Sequence, residues 1–171
     1  MTAAAKRNLL LAAIPAAVAV FAGLSLFAQR AQPVSVAPLH HDAAVVAPNG
    51  ARYDVEIADD DAERMLGLSF RPSMAETEGK LFVFPDAGRH AFWMKDMKYP
   101  LDMLWIQDGV VVDLAVDVPA PLLGQFPATV TPKADASEVL ELRAGEAKRQ
   151  GITRGTALDI RMPSGYSWPA N

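Results

Sequence analysis

The 171-residue chain contains no cysteine. That excludes a disulfide framework, thiol catalysis, cysteine-based metal sites and a lipidated cysteine anchor together. Histidine is almost as scarce, with only His40, His41 and His90. Adjacent residues point apart in an extended chain, so His40 and His41 do not make a metal site with one distant third ligand. No metal and no cofactor is expected. The eleven glycines are dispersed at turns, and no glycine-rich phosphate loop is present. G-x-S-x-G, S-x-x-K and H-E-x-x-H are also missing, so nucleophilic and imidazole catalysis have few players. Basic charge is short as well. Without Lys6, Arg7 and Arg30 the chain carries 13 basic against 20 acidic residues, a formal charge of −7. That balance does not fit a nucleic-acid binder or an anionic-membrane binder.

What is present starts with an uncharged run. Lys6 and Arg7 precede residues 8–29, rich in Ala, Leu and Val. A positive flank followed by an apolar segment marks export. Residues 1–28 are a signal peptide, with a weak small-residue cleavage site at Ala28, or an N-terminal membrane anchor. Residues 9–28 would span about 30 Å as a helix, enough for a hydrocarbon core. Both readings place the rest of the chain in the periplasm or on the periplasmic face of the inner membrane, with the membrane touched only through this segment.

Residues 29–50 contain three prolines and no sustained period, and read as a flexible linker. The folded domain is expected over 51–163, with 164–171 as a tail. RYDVEIA alternates, placing Tyr53, Val55 and Ile57 on one face of a half-buried strand. Asp60 and Glu63 fit a capping box before a short helix with Ala62, Met65 and Leu66 on one stripe, which Arg71-Pro72 ends. Short strands are expected at 78–85, 91–95, 101–107, 110–118, 137–143 and 157–163. Asp108-Gly109 between the third and fourth of these is a hairpin signal. Residues 119–136, with four prolines, read as a long loop, and 145–152 as one or two helical turns. Seven short strands with this hairpin predict an α+β fold, mainly antiparallel: a small curled sheet or half-open barrel with two short helices.

The series ERMLGLSFRPSM, EGKLFVFP, FWMKDMKYPLDMLWI, a DG hairpin and VLELRAGEAKRQGITRGTAL resembles the DUF192 family of small bacterial and archaeal proteins. The resemblance covers about residues 52–162. It implies a compact, mainly antiparallel β fold, often exported, without an established activity. Family members often read Asn-Thr where this chain has Asp96-Met97, and many carry two cysteines in the Pro-rich loop where this chain has none.

The densest chemistry lies in HAFWMKDMKYPLDMLWIQDG, 90–109. In a strand over 91–95, Trp93 and Lys95 share one face, a pair able to stack on a flat ligand and hold an anion. The alternative is that Trp93 caps the core and Lys95 passes it to water or pairs with Asp96 or Asp102. Asp102 shares a strand face with Leu104 and Ile106, so its carboxylate needs a partner: Arg71, Lys95 or backbone N–H groups. Such a pair is a structural latch or a site. Arg71 would hold an anion, or tie the helix end to the central strands. Glu78 and Lys80 read as edge charges. Met65, Met74, Met94, Met97 and Met103 read as soft core filler rather than copper ligands.

Three functions follow. The leading one is an exported, monomeric, non-catalytic module of the cell envelope. It would bind a small molecule, a glycan or an envelope protein around Arg71, Trp93, Lys95 and Asp102, with Asp96 and Met94 as weaker candidates. The second is a hydrolase or isomerase with Asp102 or Asp96 as base and Arg71 or Lys95 as electrophile. The third is a structural part with no pocket. An enzyme needs titratable groups converging in a cleft; a binder needs an exposed apolar patch with Trp93 at its rim.

Overall fold

The computed structural model describes residues 37–169. The expected leader at 1–28 and the start of the linker lie outside the described residues. Nine strands and two short helices follow in the order β1 (Ala43–Val46), β2 (Arg52–Ala58), α1 (Asp61–Leu66), β3 (Glu78–Gly88), β4 (Phe92–Trp93), β5 (Leu101–Gln107), β6 (Val110–Val118), β7 (Thr129–Val130), β8 (Ala136–Arg143), α2 (Glu146–Arg149) and β9 (Asp159–Arg161). Seven strands form one sheet in the order β6-β5-β8-β3-β2-β1-β9, and β4 pairs with β7 in a separate ribbon. Every pairing is antiparallel except β2 with β3.

The sheet curls into a half-barrel, and the chain before β9 draws its edges together. Ala157 bridges Val110 at the start of β6, and the Val111 N–H donates to the Thr156 carbonyl at 2.9 Å. A few residues later β9 pairs with β1 at the opposite edge. One short segment thus covers two edges that would otherwise be open to another strand. The hairpin forms as expected: Asp108 and Gly109 both take positive φ, 52° and 74°, which a two-residue type I′ turn requires.

Two cores result, one on each face. The enclosed face packs Val55, Leu81, Leu104, Ile106, Leu140 and Leu142, with Ala147 of α2 and Leu158 closing in. The outer face packs Phe82, Met103, Trp105 and Val139 beneath Leu68 and Met74 from the segment after α1, the β4–β7 ribbon and the buried Met94 and Met97. Gly79 in central β3 is there because nothing larger fits; an added Cβ would meet the Glu141 carbonyl at 2.9 Å.

The structure corrects several expectations. Residues 43–46, read as linker, are a strand whose Val45 is fully buried. A run of Ala and Val among prolines carries no period, yet it covers the free edge of β2. Residues 91–95 contain only a two-residue strand, because Asp96 turns the chain at φ 57°. The long loop at 119–136 contains β7, which pairs with that strand. The tail is held too: the Tyr166 hydroxyl donates to Asp59 at 2.8 Å.

Helix α1 begins as expected. The Asp60 carboxylate accepts the Glu63 N–H at 2.8 Å, and Glu63 reaches back to the Asp59 N–H at 3.2 Å. Replacing Asp60 by alanine should lower stability by about 1 kcal/mol, and by asparagine much less. Equal losses for the two variants in denaturant titrations would show that the cap is not what matters there. The apolar stripe of α1 departs from expectation. No residue of the helix is buried, and Met65 and Leu66 remain exposed.

Candidate functional site

The four residues singled out from the sequence do not meet. Asp102 lies on the enclosed face of the sheet, fully buried, and its two oxygens accept the backbone N–H groups of Asp117 at 2.9 Å and Ala147 at 2.8 Å. No substrate reaches it, and neither Arg71 nor Lys95 is its partner. Arg71 is buried on the other side of the sheet. It donates to the Ala37 carbonyl at 2.6 Å and to both oxygens of Glu56 at 2.9 and 3.2 Å. The acid/base arrangement of Asp102 with Arg71 is therefore not assembled. Met94 is fully buried core.

Glu56 is the first of three residues that sequence reasoning missed. Cross-strand neighbours on β2, β3 and β8 bring Glu56, Lys80 and Glu141 into one row on the outer face. Lys80 was expected at an edge, but β3 is central and covered on both faces, leaving Lys80 only 1% exposed. Its ammonium group bonds Glu56. Burial pushes the Glu56 carboxyl up, but the bonds from Lys80 and the His40 N–H, with the charges of Lys80 and Arg71, outweigh it. They hold Glu56 below the usual carboxylate range. Glu141 has no comparable set of partners. Burial pushes its carboxyl up to about 8, and the charge of Lys80 pulls only partly against that. Tyr99 nearby is pushed up to about 12, by burial first and the Glu141 charge next. The signal for Glu141 was faint: one acid between Leu140 and Leu142 in a strand that alternates as though one face were wet.

Trp93 and Lys95 do come together. The Lys95 ammonium sits 5.0 Å from the centre of the Trp93 ring, and Trp93 is 45% exposed. Trp93 and Met65 of α1 both line two openings. One, of about 580 Å³, is walled by Phe82, Phe84, Phe92 and His90, with Asp61 and Arg64 also lining it. The other, of about 410 Å³, runs past Leu66, Phe70, Lys95 and Asp96. Between them a narrow recess of about 20 Å³ descends past Phe92, Trp93 and Met97 to Glu141.

The walls are positioned by the core beneath. The Phe92 ring meets Phe82 edge-on at 4.8 Å and Trp105 at 6.1 Å, and the Trp105 indole N–H donates to the His90 carbonyl at 2.8 Å. The Met94 N–H donates to the Ala128 carbonyl at 2.8 Å, fixing the ribbon. Across the groove, Phe70 and Asp96 both take positive φ, 65° and 57°, and the Phe70 N–H donates to the Asp96 carbonyl. Asp tolerates that backbone, as Asn does, through its short polar side chain; for Phe70 it is an outlier held by its surroundings. Arg64 is committed. It donates to the Asp59 and Val83 carbonyls, each at 2.7 Å, and pairs with Asp61.

A half-barrel sheet with a ribbon and a short helix walling an aromatic groove on its outer face defines a small α+β domain. The chain belongs to the DUF192 family, described as an uncharacterized ACR, whose model matches residues 44–160. The expectation from the sequence motifs is met. A crystal structure from Sinorhizobium meliloti 1021, described as a candidate transcription regulator, is 34% identical with a TM-score of 0.59, covering 69% of this chain and 91% of that one. A protein of unknown function from Novosphingobium aromaticivorans DSM 12444 is 26% identical with a TM-score of 0.59, covering 74% and 94%. No curated protein matches the chain.

Proposed function

We propose that the protein is an exported, non-catalytic binding module of the cell envelope, and that its ligand enters the groove around Trp93. The observation that carries this reading is a large aromatic side chain left half in water between two openings of about 580 and 410 Å³. Ligand sites combine an apolar wall with a few polar groups in volumes of this order. Exposure of Met65, Leu66, Phe70 and Trp93 along one groove is more than a solvated surface needs. The carboxylates offer no convergent pair: Asp102 is enclosed and Glu56 is neutralised by two cations. The description of the Sinorhizobium protein as a transcription regulator is not carried over, and a charge of −7 outside the first 36 residues does not fit direct nucleic-acid binding.

Thermal-shift screening against small molecules and glycans tests this. A ligand at 100 times its Kd stabilises the folded state by about 2.7 kcal/mol. Trp93→Ala should erase the shift while leaving the unliganded melting temperature nearly unchanged, because little of the core rests on that ring. Hits that persist in the variant, or none at all, would place binding elsewhere.

A further inference from the structure

We infer that the groove takes a cationic amine carried on an apolar or aromatic body, with the ammonium group lowered into the recess onto Glu141. This rests on the groove being the binding site. The recess is walled mostly by apolar and aromatic side chains, with Arg64 and Ser69 also on its wall, and Glu141 is the acid that lines it. At about 20 Å³ the recess admits one group the size of a water molecule, which is the size of an ammonium head. The other polar side chains on the wall of the recess are already engaged: Arg64 by two carbonyls and Asp61, the Ser69 hydroxyl by the Lys95 carbonyl at 3.0 Å. Glu141 is 4% exposed, and its one charged neighbour in the row, Lys80, is bonded to Glu56.

Three further features select a cation. Phe92 and Trp93 line both the larger chamber and the recess, and aromatic faces attract ammonium groups. The Lys95 ammonium, 5.0 Å from the centre of the Trp93 ring, is an instance of that attraction within the groove. At the openings Asp61 is matched by Arg64 and Asp96 by Lys95, so the field there is that of the whole domain, whose charge is −7. An amine would be drawn in by that field, and an anion repelled. The chamber of about 580 Å³ takes the body, with Met65 and Trp93 on its sides.

The test compares 2-phenylethylamine, 2-phenylethanol and 3-phenylpropanoate by calorimetry on the full chain, Glu141→Gln and Trp93→Ala. The amine should bind at least 10-fold more tightly than the alcohol, and the anion most weakly. Glu141→Gln should bring the amine down to the alcohol while leaving the alcohol unchanged; Trp93→Ala should weaken both. Equal binding of amine and alcohol, or tighter binding of the anion, overturns the choice of cation and leaves the groove standing. Alcohol and amine binding that survive Trp93→Ala, or no binding of any probe, overturns the groove and this inference with it. Glutamine matches glutamate in shape, and a melting curve of the variant confirms that it is folded.

Discussion

Replacing Asp102 by alanine is expected to cost about 3–6 kcal/mol of folding stability, since hydrogen bonds to a charged group contribute roughly 1.5–3 kcal/mol each and two are lost. Both serve places where the backbone has no partner of its own. The β5–β6 pairing shifts register between Leu101 and Met103, and Asp117 bulges out at φ 53° with its N–H left out of the ladder. Asp102 accepts that N–H. The second bond goes to Ala147 in the first turn of α2. That helix starts at Gly145, which has no side chain to cap it, so Asp102 supplies from β5 the carboxylate that an N-cap residue would normally carry. Asp102→Asn keeps the shape and one acceptor but turns an amide toward a second donor, and should cost about half as much. Denaturant midpoints measure both, and amide exchange at Ala147 should rise in the alanine variant. A stability unchanged by Asp102→Ala would remove the structural role and return the carboxylate to the list of functional groups.

What the residues disclosed in advance divides along a physical line. Signals carried by neighbours in the chain were readable. The alternation of 52–58, the Asp60–Glu63 cap and the Asp108-Gly109 turn each depend on a few adjacent residues, and each stands in the structure. Backbone N–H groups were among the partners expected for Asp102, but which ones was not readable, because they lie 15 and 45 residues away. The same holds for β1 and β7, which exist because sheet edges elsewhere need covering. The largest misreading concerned faces. Alternation shows that a strand has two kinds of face, but not that a second layer covers the polar one. Lys80 and Glu141 occupy the polar face of their strands, and the segments after α1 and β4, with Leu68, Met74, Met94 and Met97, cover that face together with the ribbon. The candidate site was half legible for the same reason. Trp93 and Lys95 are neighbours two residues apart, whereas Met65 and Glu141 join them only through the fold.

Burial of Glu141 has a consequence that pH exposes. Its ordinary value is 4.5, and in the folded chain it is pushed up to about 8. Between these values the native state holds a proton that the unfolded chain has released, so raising the pH favours unfolding. The stabilising effect is full below about 4.5 and is lost as pH passes through about 8. Glu141→Gln has no such proton to lose. The two proteins should be of similar stability at pH 4.5, and the variant should gain on the parent by about 1.4 kcal/mol per pH unit above that, on the order of 3–5 kcal/mol by pH 8. Glu138, also raised by burial, tilts both curves alike and cancels in the difference. Glu56 is held low, so its contribution is lost as pH falls from about 4.5, at the lower edge of the window, and it too is common to both proteins. Denaturant unfolding of both proteins from pH 4.5 to 8.5 reads the gap directly. Parallel curves would mean that Glu141 is ionised throughout, paired more closely with Lys80 than the cross-strand row allows. A gap that closes when an amine occupies the groove would join this titration to binding, because a bound cation favours the carboxylate and draws the proton off at neutral pH.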